Sequence, residues 1–239
     1  MKKCLVDYSC IKGNKVYITG EKYNHLAKAL RAKVGDIISV ATPDQIVREC
    51  IIEKIDSDTI TLITKETRED FVEPKTSITL YQAILKYDKT ELVIQKAVEL
   101  GVKEIVLFTS QFTQVKPNES KTDRLNKIIQ EACQQSGRAY IPTISFKSYD
   151  EVLDEIKNYD LTILPYENEE NKSLSDLTIQ NGKNVAIIIG SAGGFSEDEI
   201  LKARENNAKI VTLGKRILRA ETASIVTIGN VMLLAGEMK

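Results

Sequence analysis

Through about residue 71, apolar positions come in short runs or in strict alternation, separated by polar turns. Residues 15–19 alternate, 37–41 follow the turn Gly35-Asp36, and 46–55 and 59–64 flank Asp56-Ser57-Asp58. Each reads as a strand, because a period of two lines one face of a pleat with apolar side chains. Residues 23–31 lie between the first two and read as a helical turn or two, with Leu26, Ala29 and Leu30 on one side. Closely spaced strands with one short helix predict a small β-barrel. The polar stretch 65–76, punctuated by Glu69-Asp70 and Glu73-Pro74, reads as a linker.

From Ser77 the rhythm changes. Apolar runs at 77–84, 104–109, 161–164, 185–189 and 210–213 alternate with stretches of helical period. Asp88 with Glu91, Ser148 with Glu151 and Ser196 with Glu199 have the spacing of capping boxes, and Gly101 and Gly137 stand where helices stop. Leu92, Val93, Ala97 and Leu100 form one predicted inward stripe, and Leu125, Ile128, Ile129, Ala132 and Cys133 another. A last helix begins near Glu221 and is apolar on more than one side. The expected architecture is an α/β domain over residues 73–239, a mostly parallel sheet covered by helices, after a small barrel over 1–72.

The 239 residues hold enough apolar content for a core in each part. A formal net charge of −1 argues against wholesale polyanion binding, but the positive charge is grouped. Residues 1–36 contain eight Lys/Arg against three Asp/Glu, and 202–219 contain six against one. Cys4, Cys10, Cys50 and Cys133 form no CxxC pair and, without a signal peptide, read as reduced thiols of a cytosolic protein. No apolar run is long enough for a membrane span. One histidine, His25, argues against a His-rich metal centre and a hydrolytic triad, so neither metal nor membrane is expected.

Two glycine-bearing loops follow consecutive predicted strands, at the edge where α/β sheets take ligands. Gly190-Ser191-Ala192-Gly193-Gly194 lets backbone N–H groups approach a ligand, and the helix after it adds a favourable field. Alone it is also what a tight turn needs. It is neither a dinucleotide fingerprint nor a P-loop. In the second loop Arg216 and Arg219 stand three apart and would share a helical face suited to phosphate or carboxylate. Lys86 ends the first strand of the large domain, within reach of a ligand. Gln135 and Arg138 are base-edge readers by type, or ordinary helix-end residues. His25 stacks on a base or fills a helix flank, and Glu221 caps the last helix or holds an arginine.

Taken together, His25 with Ala29-Leu30-Arg31, Lys86, Gln95 through Val102, Glu131-Ala132 with Gln135-Ser136-Gly137-Arg138, Gly193-Gly194-Phe195-Ser196, and Leu213-Gly214 with 216–223 form a specific set. By these motifs the chain resembles, over nearly its full length, the bacterial RsmE family. That family methylates N3 of a uridine in 16S ribosomal RNA and belongs to the SPOUT methyltransferases. The resemblance implies a PUA-like amino-terminal barrel, a carboxy-terminal domain with a deep trefoil knot near 185–230, S-adenosylmethionine as cofactor, and a homodimer. The expected substrate is 16S ribosomal RNA in the small subunit, at U1498 of that RNA. Leu164, Pro165, Tyr166, Gly190, Gly193, Gly194, Phe195, Leu213, Gly214, Arg216, Ile217 and Leu218 then fall at cofactor positions. Arg219 falls where deprotonated uracil needs stabilising, with Lys86 and Arg138 assisting. His25, Lys28, Arg31 and Gln135 are assigned to RNA.

Family members usually read Gly-Pro-Glu-Gly-Gly where this chain has Gly190-Ser191-Ala192-Gly193-Gly194, losing a stiffening proline and a carboxylate. A second Pro-Glu is Pro165-Tyr166 here, with Glu167 one position late. On these departures rests an alternative, an RNA-binding assembly protein with a degenerate cofactor site. A related knotted methyltransferase acting on another RNA is a further one.

Overall fold

The computed structural model describes residues 3–42, 46–69, 72–115 and 122–238. Asp70 and Phe71, in the expected linker, lie outside that range. The chain divides into two compact units, Met1–Glu73 with Cys133–Ile141, and Pro74–Ala132 with Pro142–Lys239.

The first unit is a six-stranded sheet of β1 (Lys3–Leu5), β2 (Ile11–Lys12), β3 (Lys15–Thr19), β4 (Ile37–Ala41), β5 (Ile46–Ile55) and β6 (Thr59–Glu69). The order is β1-β4-β5-β6-β3-β2, with β1 parallel to β4 and the other pairs antiparallel. Register shifts at Glu49/Cys50 and Ile52/Lys54 mark bulges, which add bend and twist to the long β5–β6 ribbon. Val16, Ile18, Leu26, Ile38, Val40, Ile52, Ile60 and Leu62 fill the core.

Two expectations change here. The first five residues of the expected linker continue β6, pairing Glu66, Thr67, Arg68 and Glu69 with β5. These strand residues are exposed, so the ladder of backbone hydrogen bonds holds them where no hydrophobic alternation announces a strand. The short helix α1 (Gly20–Asn24) widens into a π-helical turn over His25–Ala29, closed by Leu30 N–H on His25 O at 2.9 Å. The wider turn rotates the inward face: Leu26 is buried, Ala27 and Leu30 half-buried, and Ala29 exposed.

The second unit has a six-stranded, all-parallel sheet in the order β12-β10-β11-β7-β8-β9. Its strands are β7 (Ser77–Ala83), β8 (Glu104–Thr109), β9 (Thr143–Ser148), β10 (Leu161–Pro165), β11 (Asn184–Ile189) and β12 (Lys209–Val211). The helices are α2 (Tyr87–Glu99), α3 (Thr122–Ser136, whose last turn groups with the first unit), α4 (Tyr149–Glu155), α5 (Glu197–Glu205) and α6 (Ala220–Leu234). Ile187 and Ile188 are fully buried, as expected of a central strand covered on both faces.

Both serine boxes form as the spacing predicts, Ser148 with Glu151 and Ser196 with Glu199. The Asp88 box does not. Lys86 is the N-cap of α2, and Thr90 Oγ1 bonds Leu85 N–H at 3.1 Å, starting the helix earlier. Glu91 instead pairs with Arg124, 2.5 Å from its Nε. The buried stripe of α2 centres on Val93, Ile94, Ala97 and Val98, leaving Leu92 and Leu100 half-buried.

Candidate active site

The carboxyl ends of β7, β10, β11 and β12 deliver four chain segments to one cavity of about 1270 Å³. Ile84, Leu85 and Lys86 come from the end of β7, Pro165, Tyr166, Glu167, Glu169 and Glu170 from β10, Ile189 to Phe195 from β11, and Thr212 to Arg219 from β12. Such a crevice is where a parallel sheet takes its ligand, and its volume exceeds the roughly 300–1,000 Å³ of ordinary small-molecule sites.

The β11 loop is shaped by what its glycines leave open. A Cβ on Gly190 would fall 3.0 Å from the Phe195 ring, and one on Gly193 would fall 3.0 Å from Phe112 Cβ. Gly194 has φ +72, and a Cβ there would sit 2.5 Å from Glu167 Oε1. Ser191 closes the turn: Gly194 N–H donates to its carbonyl at 3.0 Å and Gly193 N–H to its hydroxyl at 3.3 Å. A serine hydrogen bond thus closes the turn at the position of the stiffening proline. A carboxylate also reaches the turn after all, from Glu167 rather than from position 192. The helix-terminus field works differently from expectation. Glu197, Asp198 and Glu199 fill the first turn of α5, and Glu199 accepts the Ser196 N–H, so that terminus is already satisfied.

Past β12 the chain is clamped at Thr212, whose N–H donates to Lys172 O at 2.7 Å and whose carbonyl accepts from Leu174 N–H at 3.2 Å. Gly214 follows with φ +108. Residues 214–219 are not helical, so Arg216 and Arg219 do not share a helix face; each is exposed and lines the cavity. Arg219 is the N-cap of α6, with no side-chain cap, so the orphan N–H groups and positive end of a fifteen-residue helix open beside its guanidinium. Glu221 in that first turn pairs with Lys89 at 3.4 Å rather than with an arginine.

A buried polar link ties two of these walls. Gln82 Nε2 donates to Ala83 O at 2.9 Å and to Gly190 O at 3.4 Å. The Ser224 hydroxyl lies within reach of Gln82 Oε1 and of Ala220 O, the latter at 2.8 Å. The Glu169 carboxyl at the rim is held below its ordinary value, first by the Asn171 N–H, then by Lys172 N–H and Arg204, against the opposing push of burial.

Of the positions expected at the site, Lys86, Pro165, Tyr166, Gly190, Gly193, Gly194, Phe195, Leu213, Gly214, Arg216, Ile217, Leu218 and Arg219 line this cavity. Leu164 is not among them: its side chain is fully buried in the core with Ile188 and Ile210, which leaves only its backbone for the expected contact. Arg138 does not line it either. Its guanidinium is buried in the first unit in an ion pair with Glu73, 2.7 Å between Nη2 and Oε2, with Nε within 3.2 Å of both carboxylate oxygens. A buried charge needs such a partner. Phe112, Glu167 and Lys89 line the cavity without having been expected. His25, Lys28 and Arg31 are exposed on the first unit, three residues apart, and Gln135 is exposed beside Arg138 in sequence. No group of three potential metal ligands occurs among the described residues.

A family model described as an RNA methyltransferase domain matches residues 72–232, and one described as an RNA methyltransferase PUA domain matches 18–65. The ribosomal RNA small subunit methyltransferase E 2 of Borreliella burgdorferi is 32% identical over 235 residues, 95% of either chain. The chain belongs to the ribosomal RNA small subunit methyltransferase E family. The Mesomycoplasma hyopneumoniae member is 40% identical over 158 residues, 64% of this chain and 68% of that one. Among solved structures, the Neisseria gonorrhoeae member bound to S-adenosyl methionine superposes with a TM-score of 0.90 at 26% identity, covering 100% of both chains. A methyltransferase from Legionella pneumophila in complex with the cofactor SAM gives 0.85 at 28%, over 97% of this chain and 96% of that one. The architecture is therefore the knotted SPOUT fold preceded by a small PUA-like sheet.

Proposed function

We propose that the protein methylates N3 of a uridine in 16S ribosomal RNA of the small subunit, using S-adenosylmethionine. The observation that carries this reading is the cavity of the β10, β11 and β12 loops, where a Cβ on any of three glycines would crowd Phe195, Phe112 or Glu167 and five cations, Lys86, Lys89, Lys215, Arg216 and Arg219, line the walls. The cavity fits the cofactor chemically. Pro165, Ile189, Ile217 and Leu218 offer apolar surface for a purine, the glycine turn offers close backbone approach, and Glu167 offers an acceptor for hydroxyls or an ammonium.

When bound, S-adenosylmethionine supplies an electrophilic methyl group. The chain's own contribution is orientation and charge. Uracil N3 must lose its imide proton to become a nucleophile, and the negative charge then spreads onto the ring oxygens. Arg219, with the open N-terminus of α6 beside it, is assigned to stabilise that charge, with Lys86 as a second cation, since both residues line the cavity. Lys89 is partly neutralised by Glu221. Water exclusion falls to Ile84, Leu85 and Ile189 on the cavity floor.

RNA binding is assigned to His25, Lys28 and Arg31 on the first unit, with Gln135 as a base reader. A homodimer accounts for the apolar residues that α6 leaves exposed, Leu233 and Leu234, and for Ile217 at 85% exposure. No helix among the described residues is long and apolar enough to cross a membrane. The proposed substrate places the protein in the cytoplasm.

The degenerate-site alternative rested on Ser191-Ala192. Ser191 rebuilds the turn and Glu167 restores a carboxylate beside it, which favours a working cofactor site. The direct experiment incubates the purified protein with S-adenosylmethionine and small subunits lacking the modification, then digests the RNA for nucleoside mass spectrometry. Appearance of N3-methyluridine supports the reading. Binding to subunits with no methyl transfer would favour the assembly-protein alternative.

A further inference from the structure

Phe112 is 42% exposed, yet the loop that presents it is firmly held. Ser110 N–H bonds Thr113 Oγ1 at 2.8 Å and Thr113 N–H bonds Ser110 O at 3.0 Å. Gln111 N–H donates to Glu199 Oε1 at 2.8 Å, and the same carboxylate closes the α5 capping box with its other oxygen. From this clamp the Phe112 side chain lies across Gly193, where a Cβ would fall 3.0 Å from its Cβ and 3.6 Å from its Cγ. Phe112 is also one of the residues that line the cavity.

A half-exposed aromatic ring costs hydration free energy where it stands, and three hydrogen bonds hold the backbone of its loop in place. Two other rings line the cavity, but Tyr166 is half-buried and Phe195 buried, so Phe112 is the exposed aromatic among its lining residues. A flat π surface in such a place suits a flat ring, and stacking on an aromatic side chain is the usual way an unstacked base is held. Chemistry on a base also requires that the base leave its stack. We propose that Phe112 is the platform on which the target uracil stacks when it enters the cavity, so that it sets which ring is presented to the reacting methyl. This rests on the methyltransferase reading above. Gly193 is then required twice, for the cofactor turn and as the surface that seats Phe112.

The test compares single-turnover methyl transfer to unmodified small subunits by wild type, Phe112→Ala, Phe112→Leu and Phe112→Tyr, alongside cofactor affinity by calorimetry. One stacked base is worth enough that Ala and Leu should each lower the rate roughly tenfold or more, while Tyr restores it and cofactor affinity stays at the wild-type value. The Leu variant keeps apolar bulk without a π face, so its loss separates stacking from packing. A second readout uses Phe112→Trp, the only tryptophan in the chain. Its fluorescence should be unchanged by S-adenosylhomocysteine alone and quenched when protein-free 16S ribosomal RNA is added. Wild-type rates in Phe112→Ala would overturn the proposal. Quenching by S-adenosylhomocysteine alone, with weakened cofactor binding in Phe112→Ala, would also overturn it, since the ring would then cover adenine. If wild type itself transfers no methyl, the methyltransferase reading falls and this one with it, a result distinct from failure of the variants alone.

Discussion

Arg219 stands at the junction between an extended loop and α6, with its backbone at φ −65 and ψ 151 and its side chain exposed. A guanidinium there adds to the open helix end, and both favour an anion only once N3 has lost its proton. On the proposed mechanism its effect belongs to the transition state rather than to binding. Replacing Arg219 by Ala should lower kcat roughly a hundredfold, with S-adenosylmethionine affinity unchanged and partial recovery with Lys. Equal losses in kcat and cofactor affinity would place Arg219 on the cofactor instead. At this scale residue type was informative and residue environment was not. Arg138 and Arg219 are the same side chain near helix ends, yet one is buried against Glu73 and the other is exposed at the cavity. Nothing in the neighbourhood of Arg138 in sequence names Glu73 as its partner, sixty-five positions away. Phe112 was equally silent, because an isolated aromatic in a loop carries no periodicity.

Among elements, the β11 loop depends on backbone conformation as much as on space. Gly194 at φ +72 and Gly182 at φ +82 both lie in the left-handed region, but only Gly194 faces another group, the Glu167 carboxylate. Gly182 has nothing within 4 Å. Alanine at either should cost about 1–2 kcal/mol of stability from backbone strain, read by denaturant titration. Only Gly194→Ala should weaken cofactor binding, because only there does the new methyl displace a cavity side chain. Equal binding losses in both variants would mean that the loop acts through stability alone. Three carboxyl groups, Glu151, Asp160 and Glu169, are held below their ordinary values, each first by a backbone N–H, of Ser148, Asn184 and Asn171 respectively. A lowered folded-state value means stability that is present above the ordinary carboxylate value and is lost as pH falls through the folded one. The melting temperature should therefore hold from neutral pH down to about 5 and drop below about 4; a fall that began near pH 6 would point to other groups. The serine boxes and the glycine stops were legible because caps are local chemistry. The start of α2 was not, because Thr90 reaching back to Leu85 competes with the Asp88 box and wins.

At the scale of the whole molecule, alternation of strands and helices after Ser77 made the parallel sheet legible, while the knot entered only through resemblance. Hydrophobic period reports which face an element buries, not the path by which the chain passes its own loops. The polar half of β6 escaped for the same reason: its order comes from pairing with β5. Charge is similarly local. With a net charge of −1, the proposed RNA affinity is assigned to grouped cations such as Lys28 and Arg31, both exposed and outside any ion pair among the described residues. Neutralising both should weaken binding to small subunits and reduce the slope of log affinity against log salt by roughly 1.5–2, with cofactor affinity unchanged. An unchanged slope would remove this surface from the contact.

Methylation of one atom of one RNA is read best in the cell. Nucleoside mass spectrometry of 16S ribosomal RNA should find N3-methyluridine in the parent strain, lose it when the gene for this chain is deleted, and regain it with the wild-type gene but not with the Arg219→Ala form. N3-methyluridine persisting unchanged in the deletion strain would contradict the assignment.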